Sequence, residues 1–206
     1  MKICIVGSGH IGGGLARAWR KHGHEVVFGA RRPDDPELAK LCAEIGARAE
    51  PTASAAIEAE VIVLAMPYAA LDAVLGDIGA AKGKLVVDCT NALERGMQLK
   101  YGHTTSSAEE LQKKIPEAHV FKSFNAQGAE NLASPEYPSG RASNFFCGDD
   151  AGARERMRTL VSDAGFDAVD AGPLDSARLL EPLMLLWMRC SKTVGSRDIA
   201  FRLLRR

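Results

Sequence analysis

Short runs of apolar residues recur along the chain, and longer segments with an apolar residue every three or four positions separate them. Continuous apolar runs rich in β-branched residues, such as ICIV and VIVL, are typical of strands that are buried on both faces of a sheet. The predicted strands cover residues 2–6, 25–29, 61–65, 85–88, 120–124, 145–147 and 166–169.

The segments between these runs have the periodicity of amphipathic helices. The predicted helices cover residues 11–21, 36–45, 52–59, 68–75, 108–115, 151–164, 175–189 and 196–204. Ser107 followed by Glu110 predicts a capping box at the start of the fifth helix. The alternation predicts an α/β fold, namely a Rossmann-type doubly wound, mostly parallel sheet with a small C-terminal helical extension.

Charge and composition exclude several classes of protein. The 26 Lys and Arg residues balance 26 Asp and Glu residues, so no net charge attracts nucleic acid or anionic membranes. The apolar run LLEPLMLLWM has about half the length that a bilayer requires, and MKICIVGSG enters a strand too early for a signal peptide. The five cysteines are scattered and never spaced as CxxC, which predicts neither disulfides nor a metal site. We expect a cytoplasmic protein without nucleic-acid or membrane partners.

The segment GSGHIG, residues 7–12, matches the pattern G-x-G-x-x-G between a predicted strand and a predicted helix. Glycines at this spacing permit a tight turn, the close approach of a pyrophosphate, and the packing of helix on strand. The helix start adds unpaired amides and a positive dipole end. We therefore predict a dinucleotide site that involves Gly7, Ser8, Gly9, His10, Ile11 and Gly12. The His10 side chain lies either near the pyrophosphate or towards solvent.

The second predicted strand ends in Ala30, Arg31 and Arg32, where an NAD-binding protein would place an acidic residue on the ribose. After Ala30, the first acidic residue is Asp34. NADP carries a 2′-phosphate at this point, for which a small residue leaves room and a guanidinium group supplies charge. The arginines therefore predict NADP(H) as the cofactor. Alternatively, they form a solvated turn before Pro33.

Several segments, taken in order, resemble a known family: GSGHIGGGLARAWRKHGHEVVFGARRP, AMPYAALDAVL, VVDCTNAL, KSFNAQGAENL, CGDDAGARERM and VDAGPLDSARLLEPLMLLWMR. Together they look like the NADP reductases that depend on the deazaflavin coenzyme. They are also similar to the cytosolic reductase domain of the metalloreductases called six-transmembrane epithelial antigen of the prostate. The resemblance covers nearly all of the chain, and its most specific pieces are CGDD and DAGPL…ARLLEPL.

The resemblance implies an NADP-binding domain over residues 1–125 and a C-terminal extension over residues 126–206 that closes a cleft. Nicotinamide and a second flat redox ring would exchange a hydride there. Such chemistry needs positioning more than acid–base catalysis, so no catalytic side chain is assigned. The cofactor-binding candidates carried over are Ala65, Met66, Pro67, Asn91 and Asn125. Alternatively, Pro67 terminates a strand and each asparagine is an ordinary turn residue.

The apolar C-terminal helix has two interpretations. Leu174, Leu179, Met184 and Trp187 line the pocket for the second ring, or their helical spacing indicates plain core. The same helix, with Leu183, Leu186 and Trp187, forms either core or a subunit interface. The family resemblance favours a homodimer.

Two segments depart from the deazaflavin reductases and are closer to the metalloreductase domain. NAQG at 125–128 replaces a His-Thr-Ile-Pro-like segment, and CTN at 89–91 replaces a Pro-rich stretch. The expected function is therefore hydride transfer between NADP(H) and a small-molecule acceptor, either a flavin or a deazaflavin. The alternatives are an NADPH-dependent imine or keto reductase, with Tyr68, Lys122 or His103 as proton donor, and a non-catalytic NADPH-sensing protein.

Overall fold

The computed structural model describes residues 1–206 and places eight strands in one twisted sheet with helices on both faces. The eight strands of this sheet are β1 (Lys2–Val6), β2 (Glu25–Ala30), β3 (Arg48–Pro51), β4 (Val61–Leu64), β5 (Leu85–Asp88), β8 (His119–Ser123), β11 (Ser143–Gly148) and β12 (Asp167–Asp170). Four short strands form two separate antiparallel pairs, β6 (Leu93–Glu94) with β7 (Gln98–Leu99) and β9 (Glu136–Tyr137) with β10 (Gly140–Arg141). The helices are α1 (His10–Lys21), α2 (Pro36–Ile45), α3 (Thr52–Glu58), α4 (Leu71–Ile78), α5 (Ser107–Lys114), α6 (Ala151–Asp163) and α7 (Ala177–Val194). Short 3-10 turns occupy Tyr68–Ala70, Ala129–Leu132 and Leu174–Ser176.

The strand order is β12-β11-β8-β5-β4-β1-β2-β3, and the order reverses beside β1. All neighbouring strands are parallel except β8 and β11, which are antiparallel. The predicted Rossmann-type, mostly parallel sheet is therefore confirmed. In such a sheet, ligands bind at the carboxyl ends of the strands, near the point where the order reverses.

Two apolar layers hold the helices on the sheet. On one face, Trp19 and Phe124 join a cluster beneath α1, α2 and α6. On the other face, Leu64 and Leu111 belong to a cluster beneath α3, α4 and α5 that also includes Leu180 of α7. Because central strands such as β4 and β5 contact both layers, every one of their residues is buried.

Three local expectations were wrong. The edge strand β3 was not predicted, because RAEP contains no apolar run and owes its structure to pairing with β2. The capping box lies one residue earlier than predicted: the Ser106 hydroxyl accepts from the Glu109 amide at 3.2 Å. Residues 196–204 are not helical. Gly195 ends α7 in the left-handed conformation, and Ile199 and Phe201 then use their carbonyls in tertiary hydrogen bonds.

The C-terminal part of the chain completes the sheet rather than standing apart from it, since β11 and β12 extend it beyond β8. A division at residue 125 stays a prediction. None of the helices combines the length and the apolar character that crossing a bilayer demands.

Candidate functional site

The turn after β1 requires glycine at two positions. Gly7 has φ of +107°, and a Cβ there would lie 2.4 Å from the carbonyl oxygen of Ala65. A Cβ on Gly12 would lie 1.9 Å from the carbonyl oxygen of Gly7. By contrast, a Cβ on Gly9 would meet nothing within 4 Å. Gly7 and Gly12 thus allow the turn to form, whereas Gly9 borders open space.

The first turn of α1 leaves its donors free. Gly9 is the N-cap residue and supplies no side-chain acceptor, and the first turn contains no acidic residue. The amides of His10, Ile11 and Gly12 precede the first intrahelical donor, which is Gly13 bonded to the Gly9 carbonyl at 2.7 Å. Free amides and the positive dipole end make this turn suitable for an anion.

A cavity of about 460 Å³ lies beside this turn, at the carboxyl ends of β1, β2 and β4. Nine of the candidate residues line it: Gly7, Ser8, Gly9, Ala30, Arg31, Arg32, Ala65, Met66 and Pro67. The other candidates, namely His10, Ile11, Gly12, Asn91 and Asn125, do not line it. We call this region, formed by residues 7–12 and 30–32, the glycine-turn end.

The two arginines at the end of β2 differ in their surroundings. Arg32 donates to the Asp35 carboxylate at 3.1 Å, and Asp35 also caps α2 by accepting from the Glu37 amide at 3.1 Å. Arg31 is exposed at the cavity and has no side-chain partner within the chain. A guanidinium without a partner is therefore available to an anion at Arg31, while the one at Arg32 already shares one of its nitrogens with Asp35.

The two predicted asparagines come together at the ends of β5 and β8. The Asn91 amide nitrogen donates to the Asn125 carbonyl at 3.1 Å, and the Asn125 amide nitrogen donates to the Asn91 side-chain oxygen at 3.2 Å. Asn125 also donates to the Leu180 carbonyl of α7 at 2.8 Å. We call this pair and its neighbours the asparagine end.

Phe124, just before Asn125, has φ of +56°, which a bulky side chain rarely adopts. Its buried ring packs edge-on against Trp19 and Phe166, with centroids 6.0 and 6.3 Å away. The core thus holds a strained residue that ends β8 and turns the chain at Asn125.

A buried group of charges lies beneath the asparagine end, and sequence reasoning considered only its lysine. Lys122 is fully buried, with Nζ 2.9 Å from Asp88 Oδ2 and 3.2 Å from Glu181 Oε1. The available signal was a charged residue in each of three apolar runs, VVDC, VFKSF and LLEPL. We call these three residues the buried triad.

The proton-bearing groups of this region keep their protons. Burial alone would lower the pKa of Lys122, but the carboxylates of Asp88 and Glu181 outweigh it and raise that pKa. Burial, together with a hydrogen bond to Tyr101, raises the pKa of Tyr68, and burial raises the pKa of the Cys89 thiol. His103 lies exposed in a loop. Lys122, Tyr68 and Cys89 therefore all hold their protons firmly near neutral pH.

The predicted residues of the second-ring pocket do not share one environment. Leu174, Met184 and Trp187 are buried, whereas Leu179 is 72% exposed. The Trp187 indole donates to the Ile199 carbonyl at 2.9 Å, which fastens the C-terminal segment to α7.

Several known proteins are similar to this chain. Residues 2–92 match the family described as NADP oxidoreductase, coenzyme F420-dependent. The F420-dependent NADP reductase of Methanothermobacter marburgensis is 30% identical over 200 residues, which is 89% of each chain. The metalloreductase STEAP3 of Rattus norvegicus is 32% identical over 196 residues, which is 90% of this chain and 37% of that protein.

The crystal structure of a proposed F420-dependent NADP reductase from Arthrobacter sp. FB24 has the same fold, with a TM-score of 0.90. It is 31% identical, and the match covers 100% of both chains. The extent of these matches, together with the glycine turn and the strand order, places the chain in a family. It belongs to the coenzyme F420-dependent NADP oxidoreductases and is an NADP-dependent oxidoreductase.

Proposed function

We propose that this protein transfers hydride between NADP(H), bound in the cavity at the glycine-turn end, and a flavin or deazaflavin acceptor. The observation that carries the proposal is the unpartnered guanidinium of Arg31 at that cavity. Ala30 beside it is small, and Asp35 is already bound to Arg32. A 2′-phosphate at this position would therefore meet a free cation.

The rest of the cavity suits the remainder of the dinucleotide. The open space at Gly9 leaves room for a pyrophosphate, towards which the free amides of His10, Ile11 and Gly12 would donate. Ala65, Met66 and Pro67 would form the wall at the end of β4. In this arrangement the asparagine end, formed by Asn91 and Asn125, orients the nicotinamide or its partner ring.

The chemistry follows from positioning. Bound NADPH supplies the hydride, and the chain holds the two rings together and excludes water. The proton-bearing side chains near the asparagine end, Lys122, Tyr68 and Cys89, have raised pKa values and so release protons less readily. A flat acceptor that receives hydride directly fits such a site better than an imine or ketone, which also needs a proton donor.

The cofactor assignment is tested by Arg31→Ala, with Arg32→Ala as the matched control. Arg31→Ala should weaken NADPH binding by about 1.5–3 kcal/mol, the scale of a hydrogen bond to a charged group, and should leave NADH binding almost unchanged. Arg32→Ala should have a smaller effect, because its guanidinium is bound to Asp35. Calorimetric titration of both cofactors measures this. Equal losses for NADPH and NADH in Arg31→Ala would contradict the assignment.

The acceptor is tested by following the near-ultraviolet absorbance of NADPH with FMN, FAD, riboflavin and the deazaflavin coenzyme in turn. Oxidation with one of these supports the proposal. Oxidation only with an imine or ketone favours the alternative reductase. Tight NADPH binding without turnover on any acceptor favours the sensing protein.

We also propose a homodimer that forms through α7. Leu179 and Leu186 are 72% and 51% exposed, and Leu183 between them is half-buried, so apolar side chains form a stripe along one side of the helix. Light scattering should give twice the chain mass, and Leu186→Lys should reduce it to the mass of one chain. A monomeric wild type would contradict this proposal.

A further inference from the structure

The buried triad connects four parts of the chain at one ammonium group. Lys122 Nζ, in β8, contacts carboxylates of β5 and α7, and both carboxylates are 2% exposed. It also donates to the Thr90 carbonyl at 2.7 Å and to the Ser107 hydroxyl at 3.0 Å. Lys122 thus forms hydrogen bonds or ion pairs with β5, with the turn after β5, with the start of α5 and with α7, which all meet at the asparagine end.

Glu181 joins α7 to the start of α5. Its carboxylate accepts from the Ser107 hydroxyl at 2.6 Å, and from the amides of Ser107 and Ala108 at 3.1 and 3.3 Å. A side chain of α7 thus caps the N-terminus of α5. Because Leu180, the residue before Glu181, accepts from Asn125, fixing Glu181 also fixes that acceptor.

The other side of the triad fixes Asn91. Asp88 accepts from the amide and the hydroxyl of Thr90 at 2.9 and 2.7 Å, which sets the turn after β5. Lys122 then holds the Thr90 carbonyl, which belongs to the peptide bond that leads into Asn91. The triad therefore holds both asparagines, one through Thr90 and the other through Leu180.

Stability alone does not account for three charges in this place. Removing charged groups from water costs about as much as their attraction returns, and apolar residues of similar volume often stabilise a protein equally well. Apolar residues at these positions would pack equally well, but they would not fix the directions of the Thr90 and Leu180 carbonyls. A role in positioning explains the triad better than a role in stability.

We propose that Glu181 is a positioning residue for the nicotinamide end of the cofactor. It locks α7 against α5 and β8, so that Asn91 and Asn125 keep the geometry that the nicotinamide meets. The inference rests on the proposed function, since it assumes that NADPH binds with its nicotinamide at the asparagine end. Glu181 acts through the asparagines and does not itself touch the cofactor.

The test compares two ligands that differ only at this end: NADPH and 2′-phospho-ADP-ribose, which lacks the nicotinamide. Glu181→Gln removes the charge and preserves the shape. It should weaken NADPH binding about tenfold and change binding of the truncated ligand by less than about twofold, as measured by calorimetric titration. An effect confined to the longer ligand would not arise from a general loosening of the fold.

The matched control is Glu109→Gln. Glu109 joins the same two helices through Arg178, which donates to it at 2.9 Å, but it lies outside the triad. This variant should bind both ligands as the wild type does. If it weakens NADPH as strongly as Glu181→Gln does, helix contact alone explains the effect and the proposal is wrong.

Ser107→Ala is the second variant, and it decides the matter if Glu181→Gln does not fold. It removes the hydroxyl that links Lys122 to Glu181 without changing any charge, and should weaken NADPH alone, by about threefold. The proposal is overturned if the triad variants weaken both ligands equally or neither, or if the wild type binds both ligands with equal affinity. A wild type that binds neither ligand would instead refute the proposed function.

Discussion

The glycine-turn end and the asparagine end lie at the same edge of the sheet, but they differ in whether their polar groups have hydrogen-bond partners within the chain. At the first, the amides at the start of α1 and the guanidinium of Arg31 have no partner within the chain. At the second, the side-chain nitrogens of Asn91 and Asn125 are all directed at protein oxygens, and the charges beneath them are paired. An anionic ligand would supply the partners that the first end lacks, whereas both amide nitrogens of the second end already have protein partners.

This difference indicates that the two ends have different roles in binding a ligand. Unpartnered donors at the surface gain most from binding a phosphate, so the glycine-turn end suits affinity and the choice of cofactor. A network whose side chains are bound to one another resists displacement, so the asparagine end suits the positioning of a ligand. Substitutions at the first should therefore change binding, and those at the second should change stability or alignment.

The largest expected effect comes from removing the ammonium group of the triad. Lys122→Met leaves Asp88 and Glu181 buried without their cation, and an uncompensated buried charge costs about 3–5 kcal/mol. We expect the free energy of unfolding to fall by that amount in urea denaturation. As a control, Lys82→Met removes a surface pair with Glu117 and should cost less than about 1 kcal/mol. Similar losses in the two variants would mean that the triad is not the closed network described above.

A smaller effect, and one on binding alone, is expected at the glycine turn. Gly9→Ala adds a methyl group where the chain has open space and where we place the pyrophosphate, so the fold should tolerate it. The dissociation constant for NADPH should rise about 10- to 100-fold, while stability changes by less than about 0.5 kcal/mol. Titration and urea denaturation of the same preparation measure both quantities.

Gly12→Ala provides the opposite case. Its methyl group would overlap the Gly7 carbonyl, so the turn itself must shift, and stability should fall by about 1–3 kcal/mol.

The outcome for Gly9→Ala decides where the pyrophosphate binds. If this variant bound NADPH as the wild type does, the pyrophosphate would not lie at the glycine turn.

The same contrast explains what the sequence could predict. Local patterns located β1, β5 and α2 at their observed bounds, since apolar runs and a helix start with Pro36 depend on neighbouring residues. The arginines at 31–32 could be proposed as phosphate-binding candidates because they follow a strand and a glycine pattern. What local patterns missed was the difference between them, which arises from Asp35.

The asparagine end depends on residues that are distant in the chain. Glu181 and Lys122 are separated by most of the C-terminal half, and periodicity assigned each to an apolar run without indicating a partner. Residues 196–204 failed as a helix for a similar reason, because Trp187 and Ser143 bind the carbonyls of Ile199 and Phe201. Local helix propensity does not decide the structure where tertiary hydrogen bonds bind the backbone groups that a helix would use.

The smallest effect is expected at the partly exposed link between α5 and α7, which Glu109 and Arg178 form, in contrast to the buried link through Glu181. Hydrogen bonds from Arg178, with a further one from Ser106, lower the pKa of Glu109 below its usual range. A carboxylate whose pKa is lower in the folded state stabilises the protein above its unfolded pKa, near about 4.3 for glutamate, and loses this effect as pH falls through the folded value.

Glu109→Gln should therefore cost less than about 1 kcal/mol near neutral pH, and the difference from the wild type should start to shrink near about pH 4.3 and vanish below the folded pKa of Glu109. Urea denaturation of both proteins across this range measures the difference. Because the pair is partly exposed, added salt should also reduce the cost near neutral pH. A cost that persisted in acid would show that Glu109 acts through packing rather than charge, and it would then no longer serve as the charge-matched counterpart of Glu181.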